Sequence, residues 1–193
     1  MNKKSTLFIF LFSISSLTGF CQEQESVLSA PENWQSEIIP FPLGFAQQID
    51  FVGFEDLRFA PGWSDSTSQE FWSYMFVWYI EKGPAMTESK LIETFNWYYD
   101  GLMGVDRINS EENATKLDKT QCLFLKTNEG FNGTMRVYDR FFTKDYITLN
   151  IQVKETFCPK TNKQIIECNI SPKNFSHEVW EIFDEVRLKV KCD

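Results

Sequence analysis

Ten consecutive residues, Phe71 to Ile80 (FWSYMFVWYI), carry almost no polar side chain, and this run narrows the fold more than any other stretch. It is far shorter than the roughly 18 apolar residues that a membrane-crossing helix needs, so it belongs to the core of a folded domain. With a period of two, Trp72, Tyr74, Phe76, Trp78 and Ile80 fall on one face and Phe71, Ser73, Met75, Val77 and Tyr79 on the other. Both faces are mostly apolar, the pattern of a central strand covered on both sides, and aromatic enrichment favours strand over helix. The preceding segment, Phe51 to Ala60, reads as a second strand. It ends at Ala60-Pro61-Gly62 because proline cannot donate to a ladder and glycine tolerates turn geometry. The two segments form an antiparallel hairpin, Phe51 to Glu81, with its loop at Trp63 to Gln69.

The first residues set the compartment. Lys3 and Lys4 make a positive start, Leu7 to Ile14 an apolar middle, and Gly19-Phe20-Cys21 a small-residue cleavage site, so residues 1–21 are expected to be a cleaved secretory signal. Retention and acylation of Cys21, as in a lipoprotein, is the less favoured alternative because Phe20 precedes it. Secretion or periplasmic placement follows, and the mature chain is expected to hold no transmembrane segment. Loss of the two signal lysines takes the formal charge from −8 to −10, which argues against nucleic-acid or anionic-membrane partners. Cys122, Cys158, Cys168 and Cys192 remain, and an exported chain permits disulfides. Cys158 with Cys192 is expected, stapling a strand end to the chain terminus, and Cys122 with Cys168 is a second candidate pair. The cysteine spacings and a single histidine, His177, argue against a structural zinc site, and no cofactor is expected.

Along the chain, residues 22–50 divide into a polar leader, Gln22 to Ala30, and a strap, Pro31 to Gln48, whose prolines bias it away from a central strand. Trp34 is expected to anchor it. Residues 51–193 form one α+β domain. After Lys82-Gly83-Pro84, Thr87 caps a helix whose buried stripe is Leu91, Phe95, Tyr98 and Leu102, widened by Ile92 and Tyr99 and ended near Gly101 and Gly104. Asp106 to Lys116 reads as a surface loop. Four strands follow, Leu117 to Lys126, Thr134 to Phe142, Tyr146 to Phe157 and Gln164 to Ile170. The third alternates most cleanly, with Ile147, Leu149, Ile151 and Val153 opposed to Thr148, Asn150, Gln152 and Lys154, so one of its faces should be wet. Ser176 caps a closing helix with Val179, Phe183, Val186 and Val190 on its buried side. The sum is an antiparallel sheet of about six strands with two main helices packed on it.

This element order resembles the α/β/α sandwiches of the Mog1/PsbP kind, a likeness of fold that implies no activity. Through Gly53-Phe54-Glu55-Asp56-Leu57-Arg58-Phe59-Ala60-Pro61-Gly62 and Ile170-Ser171-Pro172 the chain also resembles a set of bacterial exported proteins to which no activity is assigned.

The residues that could carry chemistry are few. Any histidine-based triad must use His177, whose place at a helix start points to capping instead. There is no nucleophile elbow, phosphate-binding glycine loop, dinucleotide fingerprint or H-E-x-x-H motif. Carboxylates remain: Glu55, Asp56, Glu70 and Asp139, with Arg58 and Arg140 near some of them, could supply a glycosidase-like pair or could simply be ion-paired. A binding reading uses the hairpin loop, where Trp63 with Ser64, Asp65, Ser66 and Thr67 could stack on a ligand and hydrogen-bond its edge. The expectation is an exported, non-enzymatic protein of the bacterial cell envelope that binds a small ligand or another envelope protein, through a site drawn from Arg58, Trp63, Asp65, Glu70, Asp139 and Arg140. A small carboxylate-dependent hydrolase is the alternative.

Overall fold

The computed structural model describes residues 24–192; the expected signal segment and Cys21 lie outside the described residues. The strands run β1 (Leu28–Ser29), β2 (Gln35–Pro40), β3 (Gly53–Phe59) and β4 (Tyr74–Glu81), followed by helices α1 (Glu88–Met103) and α2 (Val105–Ser110). Then come β5 (Gln121–Lys126), β6 (Phe131–Tyr138), β7 (Tyr146–Cys158) and β8 (Lys163–Ser171), a 3-10 helix at Glu178–Glu185, and β9 (Arg187–Leu188). Seven strands form one antiparallel sheet in the order β2-β3-β4-β8-β7-β6-β5, and β1 pairs with β9 apart from it. The fold is α+β. Among the described residues no helix is long and apolar enough to cross a membrane.

The apolar run does become a central strand. β4 lies between β3 and β8, with Phe76 opposite Leu57 and Cys168, and Trp78 opposite Glu55 and Ile166. Its face toward α1 packs Tyr74, Phe76, Trp78 and Ile80 against Leu91, Phe95, Tyr98 and Tyr99, with the Phe76 and Tyr98 rings stacked at 5.8 Å. The strand starts later than its composition suggests. Trp72 takes a left-handed φ of 54°, which is costly for a bulky side chain; its ring is held against Tyr74, Phe141 and Phe142, and its backbone N–H donates to the Trp63 carbonyl at 2.8 Å.

Helix α1 follows the expected pattern. Thr87 Oγ1 accepts from the Lys90 N–H at 3.2 Å, Glu88 sits in the first turn, and Gly104 closes the helix at φ 67°, a conformation that glycine adopts without Cβ strain. Gly101 lies inside the helix rather than at its exit. A Cβ there would meet the Phe45 carbonyl oxygen at 1.9 Å, so glycine lets the strap cross the helix.

Other expectations are corrected. The sheet has seven strands, the seventh being β2, because Gln35 to Pro40 pairs with β3 along its whole length. The prolines restrict this segment to an edge rather than to a strap without strand pairing. Trp34 is buried with its ring edge-on to Phe183, anchoring the segment as expected. The leader is ordered in part: Val27 and Leu28 are buried, and β1 pairs with β9. Asp106 to Lys116 begins as α2, fastened by Asn109, whose side chain exchanges hydrogen bonds with the Leu117 backbone. β6 ends at Tyr138, because the Asp139 carboxylate gathers the N–H groups of Phe141, Phe142 and Thr143 into a turn. The closing helix is a 3-10 segment, so among the described residues only one long α-helix packs on the sheet. His177, not Ser176, caps the segment through Nδ1, which accepts from the Val179 N–H at 3.0 Å. Its expected buried residues Val179, Phe183 and Val186 are nonetheless buried, with Trp180.

Cys158 and Cys192 are bridged. Cys122 and Cys168 are free thiols, which overturns the second pair. They stand on β5 and β8 with β6 and β7 between them, about 14 Å at ordinary strand spacing, far beyond disulfide reach.

The sheet therefore has one fully covered face and one face covered by half. Opposite α1, residues of β3, β4 and β8 lie beneath Val27, Leu28, Trp34, Val179, Trp180, Phe183 and Val186. Over β7, β6 and β5 that cover ends.

Candidate functional site

The residues singled out from the sequence do not converge. Adjacent residues of a strand point to opposite faces, and this separates Glu55 from Asp56. Asp56 is buried and accepts from the Val27 N–H at 2.8 Å, the Leu28 N–H at 3.0 Å and Ser26 Oγ at 2.8 Å. Arg58 pairs with it and also donates to Ser26 Oγ and the Leu28 carbonyl. The pair is a clamp on the N-terminal segment, with its donors and acceptors used up by structure.

The hairpin loop is similarly self-contained. Trp63 lies 4.5 Å from the Phe59 ring and 5.3 Å from Phe142, covering the end of the core instead of projecting as a platform. The Asp65 carboxylate accepts from the Thr67 hydroxyl and N–H, which hold it below its usual range. Glu70 Oε2 accepts from the Gly62 N–H at 2.6 Å. Burial pushes the Asp139 carboxyl up, but the Thr143, Phe142 and Phe141 N–H groups together outweigh it and hold the carboxyl below its usual range. Arg140 belongs to the same turn, but its guanidinium reaches away to the Gly104 turn and pairs with no carboxylate among the described residues. His177 is the cap already described. It borders a cleft of about 450 Å³ with Gln69, Glu70, Glu178, Glu181 and Glu185.

Glu55 is a different case. It is 0% exposed, and its one hydrogen bond is from the Tyr98 hydroxyl at 3.0 Å. Oε2 and the Trp78 Nε1–H are each buried without a partner. Burial pushes the Glu55 carboxyl up to about 8, opposed only in part by Tyr98 and the neighbouring Trp78 indole. Beside it the Tyr74 and Tyr99 hydroxyls bond one another. The packed aromatics enclose this group away from any substrate, so it is a core carboxyl whose burial favours the neutral form. The free thiols are equally withdrawn from chemistry: burial, aided by Asp100, pushes Cys122 up to about 12, and burial also raises Cys168.

Open polar surface does gather where the cover of the second face ends. A groove of about 870 Å³ lies between β6, β7 and β8, the β5–β6 turn and the segment Phe183 to Arg187. Its floor is a straight row across the sheet, in which Asn132 is opposite Gln152, Gln152 opposite Asn169, and Asn169 opposite Met75. Arg58 continues the row beyond Met75, but it is already engaged by the N-terminal clamp. Asn132, Gln152 and Asn169 are half-buried, yet none of the three side chains makes a hydrogen bond among the described residues, in contrast to Asn150, whose amide donates to the Lys173 carbonyl. In the next row Lys154 is opposite Glu167. Burial raises the Glu167 carboxyl, and Lys154 opposes the rise. Glu129 and Asp184 add carboxylates, Arg187 a guanidinium, and Met75, Phe183 and Val186 an apolar side.

Sequence reasoning identified the wet face of β7, including Gln152 and Lys154, but did not treat it as a site. The signal was present in part: Asn132, Gln152 and Asn169 are polar residues at same-face positions of successive strands. Only the register between strands shows that they line up. Among the described residues no group of histidine, cysteine and acidic side chains could hold a metal ion. In comparisons with known proteins the chain matches no family signature, no curated protein and no solved structure, so its function must be argued from this groove.

Proposed function

We propose that this chain is a non-enzymatic, exported binding protein of the bacterial envelope whose ligand site is the groove over β6, β7 and β8. One observation carries the reading: three half-buried amide side chains stand in a row on the floor of a groove of about 870 Å³ and have no partner among the described residues. Half-buried polar groups are ordinarily paired with protein or water, and a row left open to a groove is suited to pairing with something that enters it. In the hairpin loop, by contrast, the Asp65 and Glu70 carboxylates are spent on the loop's own N–H and hydroxyl groups, and the Trp63 Nε1–H, though unpartnered, is buried.

The test is a thermal-shift screen of the oxidised protein against glycans, peptides, lipids and metal ions. A ligand at 100 times its dissociation constant should add about 2.7 kcal/mol of stability. The expected result is a shift that Gln152→Glu abolishes and Trp63→Ala preserves; a shift lost with Trp63→Ala and kept in Gln152→Glu would move the site to the hairpin loop. A carboxylate-dependent hydrolase is the second reading, now centred on Glu167, whose raised carboxyl shares the groove with Asp184. Turnover of a bound ligand that disappears in Glu167→Gln would favour it.

A further inference from the structure

We infer that the ligand of this groove is a neutral polyhydroxylated molecule, a short oligosaccharide chain lying across the strands; the inference rests on the groove being the binding site. Four features of the walls and floor point to this class. The floor consists of primary amides, each offering a carbonyl acceptor and an amino donor side by side. A sugar hydroxyl is itself both donor and acceptor, so a vicinal pair of hydroxyls can meet one amide in either sense. The three amides cross two strand intervals, a span of about 10 Å, which suits more than one ring of a linked sugar.

The charges are mixed rather than massed: two cations, Lys154 and Arg187, share the groove with three carboxylates, Glu129, Glu167 and Asp184. Lys154 stands opposite Glu167 in register, and Arg187 shares the wall with Asp184. Phosphate, sulfate or nucleic acid would require a surplus of cations, and this groove has none. Met75, Phe183 and Val186 provide a narrow, mostly buried apolar flank for the C–H face of a sugar ring, and Leu125, exposed opposite Asn132 at the end of the row, adds one apolar side chain there. An extended peptide is recognised chiefly through main-chain groups at a free sheet edge. The groove lies on the sheet face, where β6, β7 and β8 already pair with their neighbours.

The experiment is a calorimetric titration of the full oxidised chain with cellohexaose, xylohexaose, laminarihexaose, chitohexaose and maltohexaose, with hexaalanine and inositol hexakisphosphate as rival probes. The expected result is binding of a hexasaccharide whose affinity is insensitive to added salt and falls at least roughly tenfold in the Asn169→Ala/Gln152→Ala double variant. The melting temperatures of the variants are read alongside. If the double variant is destabilised, the isosteric Gln152→Glu, which loses the amide donors and keeps the shape, decides the matter. Hexasaccharide binding that survives these substitutions overturns the inference. Binding of hexaalanine or inositol hexakisphosphate that the same substitutions weaken, with no sugar bound, overturns the carbohydrate class and leaves the groove standing as a site. If no probe binds, the carbohydrate class is overturned, and an empty wider thermal-shift screen overturns the groove as well.

Discussion

The two faces of the central sheet obey opposite rules. Toward α1, Phe76, Trp78, Phe95, Tyr98 and Tyr99 pack into a single aromatic mass, and even a carboxyl, Glu55, is enclosed in it. On the other face the cover is assembled from both ends of the chain, and it stops halfway across, leaving the amide row of Asn132, Gln152 and Asn169 in an open groove. The first face holds the fold together through buried area, with each fully buried aromatic worth about 1.5–3 kcal/mol. The second leaves half-buried amides open to a groove, whereas the unpartnered Glu55 Oε2 and Trp78 Nε1 of the first are sealed inside the core. The packed core and the open polar groove are thus separated by the thickness of one sheet.

Substitutions on each face should expose that difference. Phe76→Ala empties a site with no solvent exposure and should cost about 3–5 kcal/mol in denaturant unfolding. A loss below about 1 kcal/mol would show that the aromatic mass can collapse around the hole. Opening the Cys158–Cys192 bridge by Cys158→Ser with Cys192→Ser frees a loop of sequence separation 34 and should cost about 3–4 kcal/mol on the chain-entropy account. Groove affinity should fall with it, since Phe183, Val186 and Arg187 form one wall.

The Glu55 carboxyl gives a test by pH. Its folded-state value is about 8 against an ordinary 4.5, so the folded chain binds more protons between those limits, and stability should decline as pH rises through that window. In Glu55→Gln, followed by urea unfolding from pH 5 to 9, the decline attributable to this group should vanish; an unchanged profile would place the titration elsewhere. Trp63→Ala should destabilise by about 1–3 kcal/mol through its lost packing on Phe59 and Phe142 and leave groove binding intact. Smallest of all, Gln152→Ala should shift stability by no more than about 0.5 kcal/mol, because its side chain holds nothing together.

The fold was largely legible because its strongest signals are local. The apolar run of β4, the stripe and cap of α1 and the alternation of β7 each express a periodicity that packing reinforces. The misread segments are those whose structure depends on distant partners. Leu28 pairs with β9, Gln35 to Pro40 completes the sheet edge, and the closing segment winds as a 3-10 helix before joining β1. The candidate Cys122–Cys168 pair failed for a related reason: spacing along the chain carries no information about how many strands intervene. The candidate site was the least legible part. Arg58, Asp65, Glu70 and Asp139 looked chemically eligible because they are charged and lie near turns or strands, yet each is occupied by a structural hydrogen bond. The amides of the groove are inconspicuous one at a time and become a site only through cross-strand register.

The pairing of β1 with β9 joins residues 158 positions apart in the chain, as the Ser29 hydroxyl bond to the Arg187 carbonyl records. Such a contact is among the last that a chain can make, since it must wait for nearly the whole sequence to be available. The residues that wall the groove lie in and beside this final closure. During folding, therefore, the aromatic side of the sheet can assemble while the groove is still incomplete, and the groove gains its last wall only after the two ends of the domain have found each other.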